Sequence, residues 1–219
     1  MKEIAIDGPA GAGKSTVAKA LAQKLHYNYL DTGAMYRAAA YYMIGQGIDP
    51  SDAGRVVPAL AAMDMRIEYD GGAQRVMVNG SDVTPHLRTP EISKGASDIA
   101  VIPEVRLKLV EIQRGVSKKY DIVMDGRDIG TYVLPNADFK FYVTASAKER
   151  ARRRYLELKD TDPAADVDAI EREIIARDET DSKREFAPLK QAEDALFVDT
   201  TELDARQVIE YLTAVVTGA

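Results

Sequence analysis

Cysteine is missing from this chain altogether, so disulfides and thiol chemistry are excluded, as suits a reducing cytoplasm. Histidine occurs only twice, at His26 and His86, too few and too far apart for a zinc site. An excess of positive charge is lacking too: 29 Lys and Arg stand against 35 Asp and Glu, a net charge of −6. No global basic field can hold a nucleic-acid polymer, and local arginine clusters need a local explanation. No run approaches the ~20 apolar residues of a membrane span, and the N-terminus has no signal-peptide apolar region. Internal repeats and low-complexity tracts are absent as well. The expectation is a cytoplasmic, monomeric protein with neither a membrane nor a nucleic-acid polymer as partner.

What is present is an ordinary globular composition, 46% hydrophobic and 29% charged over 219 residues, enough for one substantial core with an insertion. Near its start stands IAIDGPAGAGKST, Ile4 to Thr16. Gly8, Gly13, Lys14 and Ser15 satisfy G-x-x-x-x-G-K-S directly after the apolar run Ile4-Ala5-Ile6, which reads as a buried strand. This is a P-loop. Its glycines let backbone N–H groups turn inward onto phosphate oxygens, Lys14 reaches the β/γ-phosphates, and the Ser15 hydroxyl can ligate Mg²⁺. A helix over 17–25 follows and adds its dipole to the same anion site. Lys14, as a loop lysine, is expected to face solvent.

Four further short apolar runs resemble the first: 27–30, 122–124, 139–143 and 196–198. Each is followed by a helical stretch, the last by a closing helix over 203–216. Strands alternating with helices imply an α/β fold with a five-stranded parallel sheet covered on both faces. Ligands in such sheets bind beyond the carboxyl ends of the strands, which selects 8–15, 31–37 and 125–128 as neighbours.

Between Met65 and Thr84 the pattern changes: Asp70-Gly71-Gly72 and Asn79-Gly80 separate short alternating runs, which reads as a small antiparallel β insertion. A charged region, KERARRRYLELKD, covers 148–160. At helical spacing Arg150, Arg153 and Arg154 share a face with Glu157, either as a solvated surface or as mobile cations for phosphoryl transfer.

A GTPase would carry Asn-Lys-x-Asp, but Lys119-Tyr120-Asp121 is preceded by Lys118. A protein kinase would need a third loop glycine and a His-Arg-Asp loop, both missing. A small-molecule phosphotransferase remains. DTGAMYR sets Thr32, as N-cap, and Gly33 at a helix start with Arg37 one turn in; DGRDIGT sets Arg127 in a polar turn; ARDETDSKRE spaces Arg177, Asp181 and Arg184 along one helix face. A hydroxyl acceptor needs a positioned base, whereas a phosphate acceptor needs arginines. Arg37, Arg127, Arg177 and Arg184 outnumber what a neutral sugar requires, and a nucleoside monophosphate is the natural acceptor.

With GPAGAGKST, DTGAMYR, VMDGRDIGT and ARDETDSKRE in order and spacing, the chain resembles the bacterial cytidylate kinases over essentially its whole length. The resemblance implies a P-loop nucleoside-monophosphate-kinase fold with a β insertion and a lid. One kinase domain follows, with core 1–62, 98–149 and 167–219, an acceptor-side β insertion 63–97 and a lid 150–166. It implies Mg·ATP and CMP as substrates, with dCMP as a second acceptor, in pyrimidine nucleotide metabolism. Gly8, Pro9, Ala10, Gly11, Ala12, Gly13, Lys14, Ser15 and Thr16 would bind ATP, and Lys14 would follow the transferred group. Arg37 and Arg127 would hold the acceptor phosphate beside Thr32 and Tyr36. Arg177 and Asp181 would take the ribose and its neighbourhood, Arg184 would also bind the substrate, and Ser97, Arg106 and Asp128 would take the cytosine. The lid arginines, Arg154 among them, would close over ATP and join Lys14 and Arg127 in catalysis. Two rivals stay open: a kinase of a hydroxylated metabolite with Asp31 or Asp128 as base, and a regulatory module that binds ATP without transferring it.

Overall fold

The computed structural model describes residues 1–160 and 162–218; Thr161, within the expected lid, and Ala219 lie outside the described residues. The main sheet has five strands in the order β2-β6-β1-β7-β8, and a second sheet has three in the order β3-β4-β5. The chain divides into two compact units, one formed by 27–122 with Met1, the other by 2–26 and 123–219.

In the unit of 2–26 and 123–219, β1 (Glu3–Asp7) runs into the P-loop and α1 (Lys14–Leu25). α1 begins earlier than the expected residue 17, because Gly13, at φ 81°, turns the chain directly into the helix. No side chain caps this end, which leaves its first N–H groups for an anion. Gly8 is obligatory: a Cβ there would stand 1.9 Å from the Val143 carbonyl oxygen. β7 (Phe139–Thr144) pairs in parallel with β1 and with β8 (Leu196–Asp199). α6 (Ala147–Leu158) starts at a Ser146 cap and α7 (Val167–Ser182) at an Asp166 cap. These two helices share a small core of Ala151, Ile170 and Ile174, with Tyr155 and Leu158 packed against it. α8 (Ala205–Thr217) opens on a capping box between Asp204 and Gln207.

Two expectations fail in this unit. β6 (Ile122–Gly126) is followed not by a helix but by a π-helical turn, Ile129–Val133, because Gly130, Pro135 and Asn136 leave no uninterrupted stretch for one before β7. α7 stops at Ser182, so Arg184 lies past the helix on which it was expected.

In the unit of 27–122, β2 (Asn28–Asp31) leads into α2 (Thr32–Gly45). The N-cap is Asp31, one residue before the expected Thr32: its carboxylate accepts from Ala34 N at 2.8 Å. α3 (Ala53–Leu60) precedes the small sheet of β3 (Met65–Asp70), β4 (Ala73–Val78) and β5 (Ser81–Asp82), which is antiparallel throughout as expected. Both hairpin turns take positive φ at two successive residues, Gly71-Gly72 and Asn79-Gly80, as tight hairpins require. α4 (Pro90–Ile99) and α5 (Pro103–Ser117) complete the unit.

Candidate active site

Lys14 does not face solvent. It is 5% exposed, and its Nζ donates to the Pro9 carbonyl at 2.6 Å, so the loop curls around its own lysine. Burial, helped by the positive charge of Arg127, pushes Lys14 down to about 7. Ser15 Oγ donates to Asp125 Oδ2 at 2.8 Å, so a hydroxyl and a carboxylate oxygen converge where the loop enters α1. Hard oxygen donors of this kind suit Mg²⁺. Asp125 was not singled out from sequence, although an acidic residue closing the apolar run Ile122-Val123-Met124 is a readable signal. Among the described residues no group of three or more His, Cys, Asp or Glu could hold a metal ion.

Beside the loop lies a cleft of about 1020 Å³, lined by Gly11 to Val17, by Arg152 and Arg153 of α6, and by Thr200 to Ala205 and Val208. The arginines of α6 do different jobs. Arg150 is buried, donating from Nε to Ala145 O at 2.9 Å and from Nη1 to Ala10 O at 3.0 Å, and pairing with Asp178 at 2.7 Å. It braces the P-loop against α7. Arg152 and Arg153 converge on Glu149, which is thereby held down at about 2, and Arg153 also reaches Thr200 O. Arg154 pairs with Glu157 and is more than half exposed.

Beyond β6, Arg127 Nε donates to Asp181 Oδ2 at 2.8 Å, and Arg184 pairs with the other oxygen, Oδ1. Burial alone would raise the Asp181 carboxyl; the Arg127 and Arg184 charges outweigh it and hold the group below its ordinary range. Arg177 stands one turn earlier on α7, its charge acting on both Asp181 and Lys14. Asp128 is buried, and its carbonyl accepts from Tyr132 and Val133 to open the π-turn. Asp7, also unnoticed from sequence, accepts from Ile129 N at 2.8 Å and Gly130 N at 2.7 Å; burial pushes it up to about 7 despite those bonds.

In the unit of 27–122, Arg37 Nη2 pairs with Asp31 Oδ2 at 2.8 Å. Gln74 of β4 grips Asp31 by its backbone, accepting from N at 2.7 Å and donating to O at 3.3 Å, so the β insertion anchors the start of α2. Thr32 is buried there. Arg106 is 1% exposed, its guanidinium 5.5 Å from the Tyr36 ring centre, and Nη1 donates to Ala100 O at 3.2 Å. Ser97 Oγ donates to Ser93 O at 3.4 Å.

The family model described as cytidylate kinase matches residues 4–218. A cytidylate kinase of Caldicellulosiruptor bescii is 49% identical, with 94% of this chain and 92% of that protein covered. One of Alkaliphilus oremlandii is 45% identical, with 99% and 98% covered. Among solved structures, a shikimate kinase from Acinetobacter baumannii in complex with shikimate is similar at a TM-score of 0.49 and 15% identity, over 100% of this chain and 94% of that one. A family model matched from residue 4 to residue 218, together with relatives 45–49% identical over nearly the whole chain, shows that the chain belongs to the cytidylate kinase family.

Proposed function

We propose that the chain transfers the γ-phosphoryl group of ATP to the phosphate of CMP, and of dCMP, yielding ADP and the nucleoside diphosphate. The observation that carries this reading is the gathering of Arg127, Arg184 and Arg177 about Asp181. An acceptor that is already an anion needs guanidinium groups, not a base. Asp31, a candidate base in the rival reading, has both carboxylate oxygens engaged, accepting from Ala34 N and Arg37 Nη2.

In this mechanism Gly8 to Thr16 take the triphosphate, and Lys14 leaves Pro9 O to follow the transferred group. Ser15 and Asp125 would hold Mg²⁺, which when bound neutralises charge on the phosphate oxygens. Arg37 and Arg127 orient the acceptor phosphate, while Arg177, Asp181 and Arg184 take the ribose side. Asp128, Arg106 and Ser97 read cytosine: a carboxylate suits the C4 amino group and repels the O4 of uracil, and a guanidinium suits the N3/O2 edge. The cleft beside Arg152 and Arg153 supports closure of α6 and the following residues over ATP, with Arg154 brought in and water shut out.

A coupled ADP-release assay with CMP, dCMP, UMP, AMP and shikimate tests the reading. CMP and dCMP are expected to give the highest kcat/KM. Turnover of shikimate above CMP would transfer the chain to a hydroxyl-phosphorylating class, and ATP binding without any turnover would make it a regulatory module.

A further inference from the structure

On β1 and β7, Ala5 stands opposite Lys140 and Asp7 opposite Tyr142, so by the two-residue period of strands Asp7 and Lys140 project from the same face of the sheet. The segment that follows β6 crosses that face. Asp7 holds its beginning through Ile129 N and Gly130 N, and Lys140 Nζ holds its end through Pro135 O at 2.5 Å, with Asp194 as counter-charge at 2.7 Å. Gly130 is shut in between: a Cβ would lie 3.2 Å from Lys140 Cδ and 3.4 Å from Asp7 Oδ2. Asp7 is 4% exposed and Lys140 9%.

A carboxylate buried at the end of a sheet strand is costly unless its position does something an apolar residue could not. Here the two N–H groups it accepts from are those immediately following Arg127 and Asp128 in the chain. The π-turn hangs on Asp128 itself, whose carbonyl accepts from Tyr132 N at 2.9 Å and Val133 N at 3.1 Å. Turns of this rare kind cluster at functional sites. We propose that Asp7 is a positioning residue for the acceptor: by gripping Ile129 and Gly130 against the hold of Lys140 at the far end, it fixes where Arg127 and Asp128 stand. The proposal rests on the acceptor roles given above to Arg127 and Asp128.

Asp7→Asn keeps the shape but sets an amide N–H₂ against a backbone donor, so one of the two bonds is lost. Gly130→Ala pushes on the same contact and leaves the Asp7 charge intact. In the full-length protein both variants are expected to raise KM for CMP about tenfold and to narrow the CMP-to-UMP ratio of kcat/KM, with the ATP dissociation constant moved by less than about twofold. Unchanged KM and unchanged ratio in a folded variant, or an ATP constant weakened as much as KM for CMP, overturns the proposal. If Asp7→Asn does not fold, Gly130→Ala decides by the same readouts. Arg127→Ala is the reference. Should it leave KM for CMP unaltered, the acceptor reading falls and Asp7 with it; should it raise KM while the other two do not, only the role of Asp7 falls.

Discussion

Replacing Asp181 by alanine asks whether Arg127 and Arg184 are held by this carboxylate or merely pass near it. The side chain of Asp181 is 2% exposed, that of Arg184 8% and that of Arg127 20%. Without Asp181, the Arg184 guanidinium keeps its burial and loses its ion pair with this carboxylate. Removing one partner of a buried pair costs about 3–5 kcal/mol, and the lower end applies here because Arg127 is partly screened by water. For a chain of this length each kcal/mol moves the melting temperature by about 2–4 °C, so about 3 kcal/mol lowers it by about 6–12 °C. The carboxyl is held below its ordinary 3.8, so its stabilisation is complete above that pH and is lost as pH falls through the lowered value. The gap between wild type and Asp181→Ala must therefore shrink in acid below 3.8. Thermal melts at neutral and acid pH, run beside CMP and dCMP kinetics, provide the test. If Asp181 also reads the ribose, the loss of kcat/KM is greater for CMP than for dCMP. A variant melting within about 2 °C of wild type would refute the claim that this carboxylate holds the cluster.

Lys14→Ala is expected to remove at least ~100-fold of kcat without unfolding the chain, and near-normal turnover in steady-state assays would remove Lys14 from the reaction. Asp128→Asn should narrow the preference for CMP over UMP by ~1–3 kcal/mol, so an unchanged ratio of kcat/KM would take Asp128 out of the base contact. Burial lifts Asp7 from 3.8 to about 7, so its contribution to folding is complete below 3.8 and is lost as pH rises through 7. Asp7→Asn lacks that titration, and denaturant unfolding should show wild type losing up to about 4 kcal/mol relative to it between about pH 4 and pH 8. A pH-independent difference would show that Asp7 is not titrating in this range.

Local chemistry carried much of this structure. Asp70-Gly71-Gly72 and Asn79-Gly80 announce hairpins because only such residues take positive φ cheaply, and the apolar runs at 122–124, 139–143 and 196–198 fall within β6, β7 and β8. Direction and depth of side chains were not legible, since both depend on contacts distant in sequence. Arg150 reads as one more lid arginine until its bond to Ala10 O, 140 positions away, shows it to be a brace for the P-loop. Lys14 reads as solvent-facing because nothing local says that the loop will close on it. The acidic residues that end β1 and β6 were the signal passed over: Asp7 and Asp125 each close an apolar run, where a charge has no packing reason to be.

The residues misread as exposed, or not read at all, have one property in common, and it bears on catalysis. Lys14, Asp7, Asp125 and Arg150 are all ionisable and all at most 5% exposed, each with a hydrogen-bonding partner already in place. Two unit charges 4 Å apart interact by about 1 kcal/mol in water and by about 4 kcal/mol at an effective dielectric of 20. A charge set against protein rather than bulk water therefore acts several times more strongly on its neighbours. The bonds that hold these residues are also the bonds that keep them from reorganising when a phosphoryl group transfers. Lys14 differs in having a neutral partner, the Pro9 carbonyl, so in the proposed reaction an arriving phosphate, with its full negative charge, outcompetes that carbonyl for the ammonium.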